Sequence, residues 1–348
     1  MTRNKNIKKK MLMISMGNFD HASSRVRAIQ YIPLFEKEAI YFIKWIPRIP
    51  LKSKNQFCKK FKFPVQKRYL SIKRTYNLLF KKWDIIFIQK IFISNWILKN
   101  INKRGIPIIY DFDDAIYLEQ AGHESNELKT SRMIKAATHV IISTYDLLPF
   151  CEKNNIKPII ITSAVDTERI KPISKNKDEI ITIGWIGSHW TTDYLKEIHA
   201  ALKNITNKYK VRILVVGTKP DFKLTDIKLD SQKWSFEREV DLINEMDIGI
   251  MPLPETEFAK AKGGYKLYLY MAAGIPIVAS PIGINSNIIQ HGVNGFLAND
   301  INDWTNYLSK LIEDKLLRDK MGQSGREDIV KNYSLNVCFK KLNSIIEY

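Results

Sequence analysis

Residues 260–280 read KAKGGYKLYLYMAAGIPIVAS. Lys262 and Lys266 stand four apart with Gly263-Gly264 between them. An apolar run of helical character follows, then Gly274 and Pro276, then the β-rich run 275–279. The order is loop, helix, tight turn, strand, which is one step of an alternating α/β chain. A glycine-rich loop that feeds a helix presents backbone N–H groups and the positive end of a dipole to an anion. Two lysines at its mouth add full charges. The ligand such a mouth suits is a phosphate or diphosphate.

The same alternation extends both ways. Upstream, short β-branched runs at 11–16, 85–89, 106–110, 140–143 and 159–162 predict strands, and 23–37 and 127–137 predict helices. The Pro/Lys/Asn/Asp-rich stretch 171–179 (KPISKNKDE) reads as a linker. After it the pattern restarts. Strands are predicted at 180–186, 211–216, 248–251 and 275–279, and helices at 193–203, 237–245, 304–313 and 316–331. A chain of 348 residues with this pattern predicts two doubly wound α/β domains with parallel sheets. Ligands in such sheets bind beyond the C-terminal strand ends, so the two domains are expected to face a central cleft with those ends.

Composition narrows the setting. The three cysteines, Cys58, Cys151 and Cys338, are far apart and lack metal-ligand spacing, which fits a reducing compartment. No apolar run reaches the roughly 18 residues of a membrane span. The short run after Lys8-Lys9-Lys10 reads as a first strand rather than a signal peptide. A cytoplasmic protein is expected. The net charge of +19 is lopsided: residues 1–105 hold 25 Lys/Arg against 4 Asp/Glu, and the remainder 30 against 32. Residues 44–82 carry 13 basic residues and no acidic one, with Trp45, Phe57, Phe61, Phe63, Tyr69, Tyr76 and Phe80 threaded between them. That mixture suits an anionic membrane surface. Nucleic acid, or a solvated basic face with the aromatics in the core, are the alternatives.

A second anion-type loop lies in TIGWIGSHWTTDYL, residues 182–195. A strand runs into Gly187-Ser188 and a helix begins near Thr192, so its first turn and the Ser188 hydroxyl are placed to hold a phosphate. Together with DIGIMPLP at 247–254 and the run from Lys260, this segment resembles the C-terminal donor domain of family 4 retaining glycosyltransferases. It is most similar to a bacterial branch with a Lys-x-Gly-x-Lys type loop. ASSRVRAIQYIP from Ala22, YDFDDAIY from Tyr110 and VDTERIKP from Val165 agree, in the family's order. The resemblance implies the GT-B fold: an acceptor-binding Rossmann-like domain over 1–172, a nucleotide-sugar domain over 173–333, and a last helix, 334–348, that packs back on the first domain. It also implies a nucleoside diphosphate sugar as substrate with no cofactor and no metal, and a glycan or lipid-linked acceptor. The wider family carries two glutamates eight apart in this region; here Ala261 and Leu269 stand in their places. Lys262 and Lys266 are then the groups expected on the diphosphate or the sugar hydroxyls. Gly187, Ser188, Gly263, Gly264, Tyr265 and the loop residue Glu255 are expected to bind the donor.

In the first half, Asp111, Asp113 and Asp114 follow a predicted strand. Three carboxylates so close repel unless a cation, a hydroxyl donor or a proton offsets them, so they mark a candidate site. The family has an apolar–His pair at this edge, and Phe112-Asp113 occupies it here; Asp113 is expected to contact the donor sugar. Gly17, after the first strand, allows close backbone approach on the donor side. Ser24, Arg25 and Arg27, with Asp111 and Asp114, are expected to hold an acceptor or a phosphate. The expected function is a retaining, metal-independent glycosyltransferase of cell-surface polysaccharide or glycoconjugate synthesis, peripheral on the inner face of the membrane, with no nucleic acid partner. A nucleotide-sugar epimerase of the same fold and a non-catalytic binding protein are the rivals.

Overall fold

The computed structural model describes residues 9–38, 41–48, 56–118, 125–173 and 180–347. Lys8, residues 49–55 of the basic segment and residues 174–179 of the linker reading lie outside the described residues. The chain forms two compact units. One is Ser163–Cys338; the other is the chain before it together with the residues from Phe339 onward.

The first unit is built on six parallel strands: β1 (Lys9–Ser15), β2 (Tyr41–Pro47), β3 (Ile85–Gln89), β4 (Ile108–Phe112), β5 (His139–Ile142) and β6 (Ile159–Ile160). Their order is β2-β1-β3-β4-β5-β6. β3 and β4 are buried at every position, which is why they read as continuous apolar runs rather than alternating ones. The order reverses beside β1, so the loops after β1 and β3 leave in opposite directions and open a crevice.

The second unit repeats the plan with β7 (Thr182–Ile186), β8 (Arg212–Val216), β9 (Leu229–Gln232), β10 (Ile248–Met251), β11 (Ile277–Ala279) and β12 (Gly295–Leu297). The order is β12-β11-β10-β7-β8-β9, again all parallel, and its reversal lies between β7 and β10. Two cores flank this sheet. One holds Met246, Leu267, Tyr270 and Ile288, and the other Trp185, Leu202, Phe296 and Trp304.

Several elements depart from the sequence expectation. The predicted 23–37 helix is three pieces: Ala22–Arg27, a 3-10 turn Ile29–Tyr31, and Ile32–Lys37. Ala28 leaves helical geometry (φ −136°), and Pro33, which has no N–H to give, sits in the first turn of the last piece. The predicted 193–203 helix starts earlier, as a 3-10 run His189–Ile198 that continues as the helix His199–Lys208. β4 lies two residues later than predicted, so Asp111 is inside the strand rather than after it. A helix over Gln56–Phe80 and the strands β2, β9 and β12 had no counterpart.

Candidate functional site

In the second unit the β7/β10 reversal is where the cations gather. β7 runs buried to Ile186, and the next residue, Gly187, ties its N–H to the Val216 carbonyl of β8 (2.9 Å). A Cβ on Gly187 would stand 2.5 Å from the Trp185 ring and 2.8 Å from Cε of Lys266. Glycine here lets the lysine stem pass against the backbone. Lys266 is in the first turn of the Tyr265–Ala272 helix. Gly264 precedes that helix at φ +65°, a left-handed conformation that costs other residues strain.

The Lys266 ammonium lies 4.7 Å over the Trp185 ring and donates to Thr191 Oγ1 at 3.4 Å. Lys262 lies 4.3 Å over the Phe258 ring. Among the described residues neither lysine has a carboxylate partner. Burial, and then the charge of Lys262, push the Lys266 ammonium down to about 7. Two cations stacked on aromatic faces without a counter-ion form a cradle that an anion completes. Ser188 is exposed, and its hydroxyl does not cap the helix it precedes. Gly263, on the same loop as Lys262, and Tyr265, the first residue of the helix, are half-buried. Glu255 is exposed and pairs with neither lysine. Trp185 and Thr191 complete the cradle, and Ser188 is the residue that precedes the helical run carrying Thr191. Asp247 is structural: it accepts the Thr182 N–H at 2.8 Å.

In the first unit the ends of β1, β3 and β4 carry a polar network. Asp111 is locked in a buried pair with Arg27, whose Nε reaches both carboxylate oxygens at 3.2 Å and whose third nitrogen donates to the Ile161 carbonyl at 2.5 Å. Removing one partner of such a pair strands a buried charge, at a cost of about 3–5 kcal/mol. Arg25 is also buried, donating to the Phe19 carbonyl at 3.0 Å. Ser24 is buried, accepting the Gly17 N–H (2.8 Å) and donating to Gln89 (3.0 Å). Ser24, Arg25, Arg27 and Asp111, expected to hold a ligand, are thus all buried and bonded within the unit. Gly17 is buried too, packed on His21, which a Cβ would meet at 2.3 Å.

Asp113 and Asp114 share a cation that sequence reasoning did not find. Lys90 bridges Asp113 Oδ1 at 2.7 Å and Asp114 Oδ2 at 2.5 Å. Burial opposes its charge, but the two carboxylates outweigh burial and hold the ammonium above its usual range. Ser23 also donates to Asp113 Oδ1, at 2.8 Å. Lys90 adopts φ +55°, with its N–H on the Asp111 carbonyl (2.9 Å). Such strain persists where surrounding contacts over-determine it, and it concentrates at functional sites. The only sequence signal for Lys90 was a single basic residue directly after the apolar strand IIFIQ. Burial, then Lys90, pull the His21 imidazole below its usual range, so its Nδ1 accepts the Ser24 N–H as a helix cap. His21 is thus half-buried against the unit's polar network.

Residues 180–314 match the family model of the glycosyl transferases group 1. They form a glycosyltransferase domain. That domain contains the whole Gly187–Lys266 cradle. A stretch of 83 residues is 29% identical to spore coat protein SA of Bacillus subtilis, a match that spans 23% of this chain and 22% of that protein. The whole fold is similar to sucrose-phosphate synthase from Thermosynechococcus elongatus, with a TM-score of 0.72 at 12% identity over 98% of both chains. It is also similar to Anabaena HepE solved with UDP and glucose, with a TM-score of 0.69 at 13% identity over 98% of this chain and 100% of that one. The two parallel six-stranded sheets with flanking helices are the GT-B fold.

Proposed function

We propose that this chain is a retaining glycosyltransferase. It moves a sugar from a nucleoside diphosphate sugar to a hydroxyl of a glycan or lipid-linked acceptor, in cell-surface polysaccharide or glycoconjugate synthesis. The observation that carries the proposal is the pair of lysines, Lys262 and Lys266, left without a carboxylate at the strand-order reversal of a glycosyltransferase domain. The UDP and glucose held by HepE support the ligand class.

The chemistry follows from charge. As the glycosidic C–O bond lengthens, negative charge grows on the leaving β-phosphate. Lys262, Lys266 and the N–H groups of the Gly187-Ser188 and Gly263-Gly264 loops stabilise that charge more than they stabilise the bound donor, which is what lowers the barrier. No metal is invoked, because these cations neutralise the diphosphate. In the first unit Asp113 is the carboxylate proposed to hold a sugar hydroxyl; Lys90 and Ser23 both bind its Oδ1 and fix its orientation. The leaving phosphate is proposed to take the acceptor proton on the same face, giving retention.

The protein is further proposed to work on the inner face of the cell membrane. No helix among the described residues is long and apolar enough to cross a bilayer. The Gln56–Phe80 helix instead exposes Val65, Tyr69, Ile72, Tyr76 and Phe80 amid basic residues.

The deciding measurement is nucleoside diphosphate release from a panel of donor sugars with membrane extract as acceptor. Turnover should fall by about 10²-fold or more in Lys266→Ala, the scale of losing one donor to a transition-state anion. Near-normal turnover in that variant refutes the assignment. Release of free sugar and nucleotide without any acceptor identifies the epimerase instead.

A further inference from the structure

The first unit contains a cavity of about 370 Å³ beside the ends of β2 and β3. β2 stops at Pro47, and Arg48 follows with its N–H fixed on the Ser15 carbonyl at 2.8 Å. The loop after β3 supplies Ser94, the residue before the Asn95–Lys103 helix, whose hydroxyl makes no cap bond. The third wall is one face of the Gln56–Phe80 helix, where Lys67, Ser71, Arg74 and Thr75 follow helical spacing. Three cations from two elements, Arg48 after β2 and Lys67 and Arg74 on the helix, thus line one hollow, among three hydroxyls. Its floor is apolar, including Ile93 and Ile97.

No carboxylate offsets those cations. The sequence has no acidic residue from 44 to 82, and none lines the cavity among the described residues. Among the described residues, the Arg74 side chain donates to the Pro47 carbonyl at 3.4 Å and the Arg48 side chain to Sδ of Met16 at 3.5 Å. Burial, then the charge of Arg48, push the Arg74 guanidinium below its usual range. The two guanidinium charges repel, and among the described residues no carboxylate lies in the cavity to offset either. A phosphate between them relieves the repulsion and accepts paired hydrogen bonds from both. The volume exceeds what a bare phosphate fills and falls in the range of pockets that hold small organic molecules. The position matches the crevice beyond the C-terminal strand ends where open α/β sheets bind ligands.

We infer that this cavity is a second anion site, which binds the phosphate group of an organic phosphate between Arg48 and Arg74 and covers its carbon part with the apolar floor. The site lies in the first unit, apart from the Lys262–Lys266 loop, and stands whether or not the transferase proposal holds. The phosphate belongs either to a soluble compound or to a lipid headgroup.

Titration calorimetry on the full chain carrying Lys262→Met and Lys266→Met, which removes both cations of the other loop, separates the two. The probes are inorganic pyrophosphate and dihexanoyl phosphatidic acid kept below its micelle concentration. At least one should bind, and Arg48→Gln and Arg74→Gln should each weaken it about 10-fold or more. Substitution of the exposed Lys99 by Gln should change nothing. Binding of pyrophosphate assigns a soluble phosphate; binding of the lipid alone assigns a headgroup. Failure of both probes, or equal affinities in the arginine variants, overturns the inference. Arg74→Gln relieves a repulsion and should melt no lower than the parent; should it fail to fold, Arg48→Gln decides alone.

Discussion

Lys266 couples the charge of a ligand to its own protonation. In the empty protein its ammonium is depressed to about 7, by burial and by Lys262. A bound diphosphate adds an attractive charge and raises that value toward the ordinary lysine range near 10.4. Between the two values the complex holds a proton that the empty protein lacks. Binding therefore takes up a proton, and affinity falls as pH rises above 7. UDP titrated by calorimetry from pH 7 to pH 9 should bind more weakly at the upper end, by up to about 50-fold for a full return to the ordinary range, and Lys266→Met should show a flat profile. A flat profile in the parent removes Lys266 from the anion site. The lysine pair was legible because glycines and cations adjoin in one loop. The Asp111–Asp114 cluster was legible only as a problem of repulsion. Its solution was not, since Arg27 lies 84 residues from Asp111 and Lys90 lies 24 from Asp114. Sequence neighbours show which charges need offsetting; the fold chooses which cation does it, and here that choice paired Arg27 with Asp111 inside the unit.

The Gln56–Phe80 helix was the longest element without a sequence signal, and the reason is its inverted surface. Helix recognition relies on an apolar stripe that faces a core. Here Leu78 faces the core, while a stripe of other large apolar side chains faces solvent: Val65 is 68% exposed, Ile72 63% and Phe80 70%. With Tyr69 and Tyr76 they fall within an arc of about 80° at 100° per residue. Lys73 stacks on Tyr69 at 5.8 Å and Lys81 on Tyr76 at 5.5 Å. β9 escaped notice for a related reason, since LDSQ is a polar edge strand, and β12 is only three residues long. The alternating units themselves were legible because buried parallel strands read as uninterrupted β-branched runs. An exposed apolar stripe framed by cations suits the headgroup boundary of an anionic bilayer, where rings insert and each nearby Lys or Arg contributes about 1 kcal/mol. The protein should float with phosphatidylglycerol vesicles at low salt and be released at high salt. A Tyr69→Glu, Ile72→Glu pair should cut the bound fraction about 10-fold or more while UDP affinity stays unchanged. No flotation at low salt, or equal flotation of the variant, rejects the membrane role.

At the scale of the whole molecule the chain leaves the first unit after Thr162 and returns to it at Phe339. The return is made by the last helix, Leu335–Glu347. Its first residue is anchored in the second unit, where the Leu335 N–H donates to the Val165 carbonyl at 2.8 Å. One turn later Phe339 packs edge-on to Phe35 at 4.9 Å and stacks on Tyr31 at 6.4 Å, and Leu342 and Ile346 are buried beyond it. The core of the first unit is therefore completed by residues that follow the second unit in the sequence. Phe339→Ala removes a buried ring and leaves a hole beside Phe35, a change that costs about 3–5 kcal/mol where the surroundings cannot collapse. The loss belongs to the first unit. Hydrogen exchange in β1 and β3 should speed up by about 10²-fold or more, because their opening is the event the ring restrains. The Gly187–Lys266 cradle is built wholly from second-unit residues, so UDP affinity should stay at its parent value. Equal exchange in β1 and β3, or a matching loss of UDP affinity, shows that the last helix supports something other than the core into which it packs.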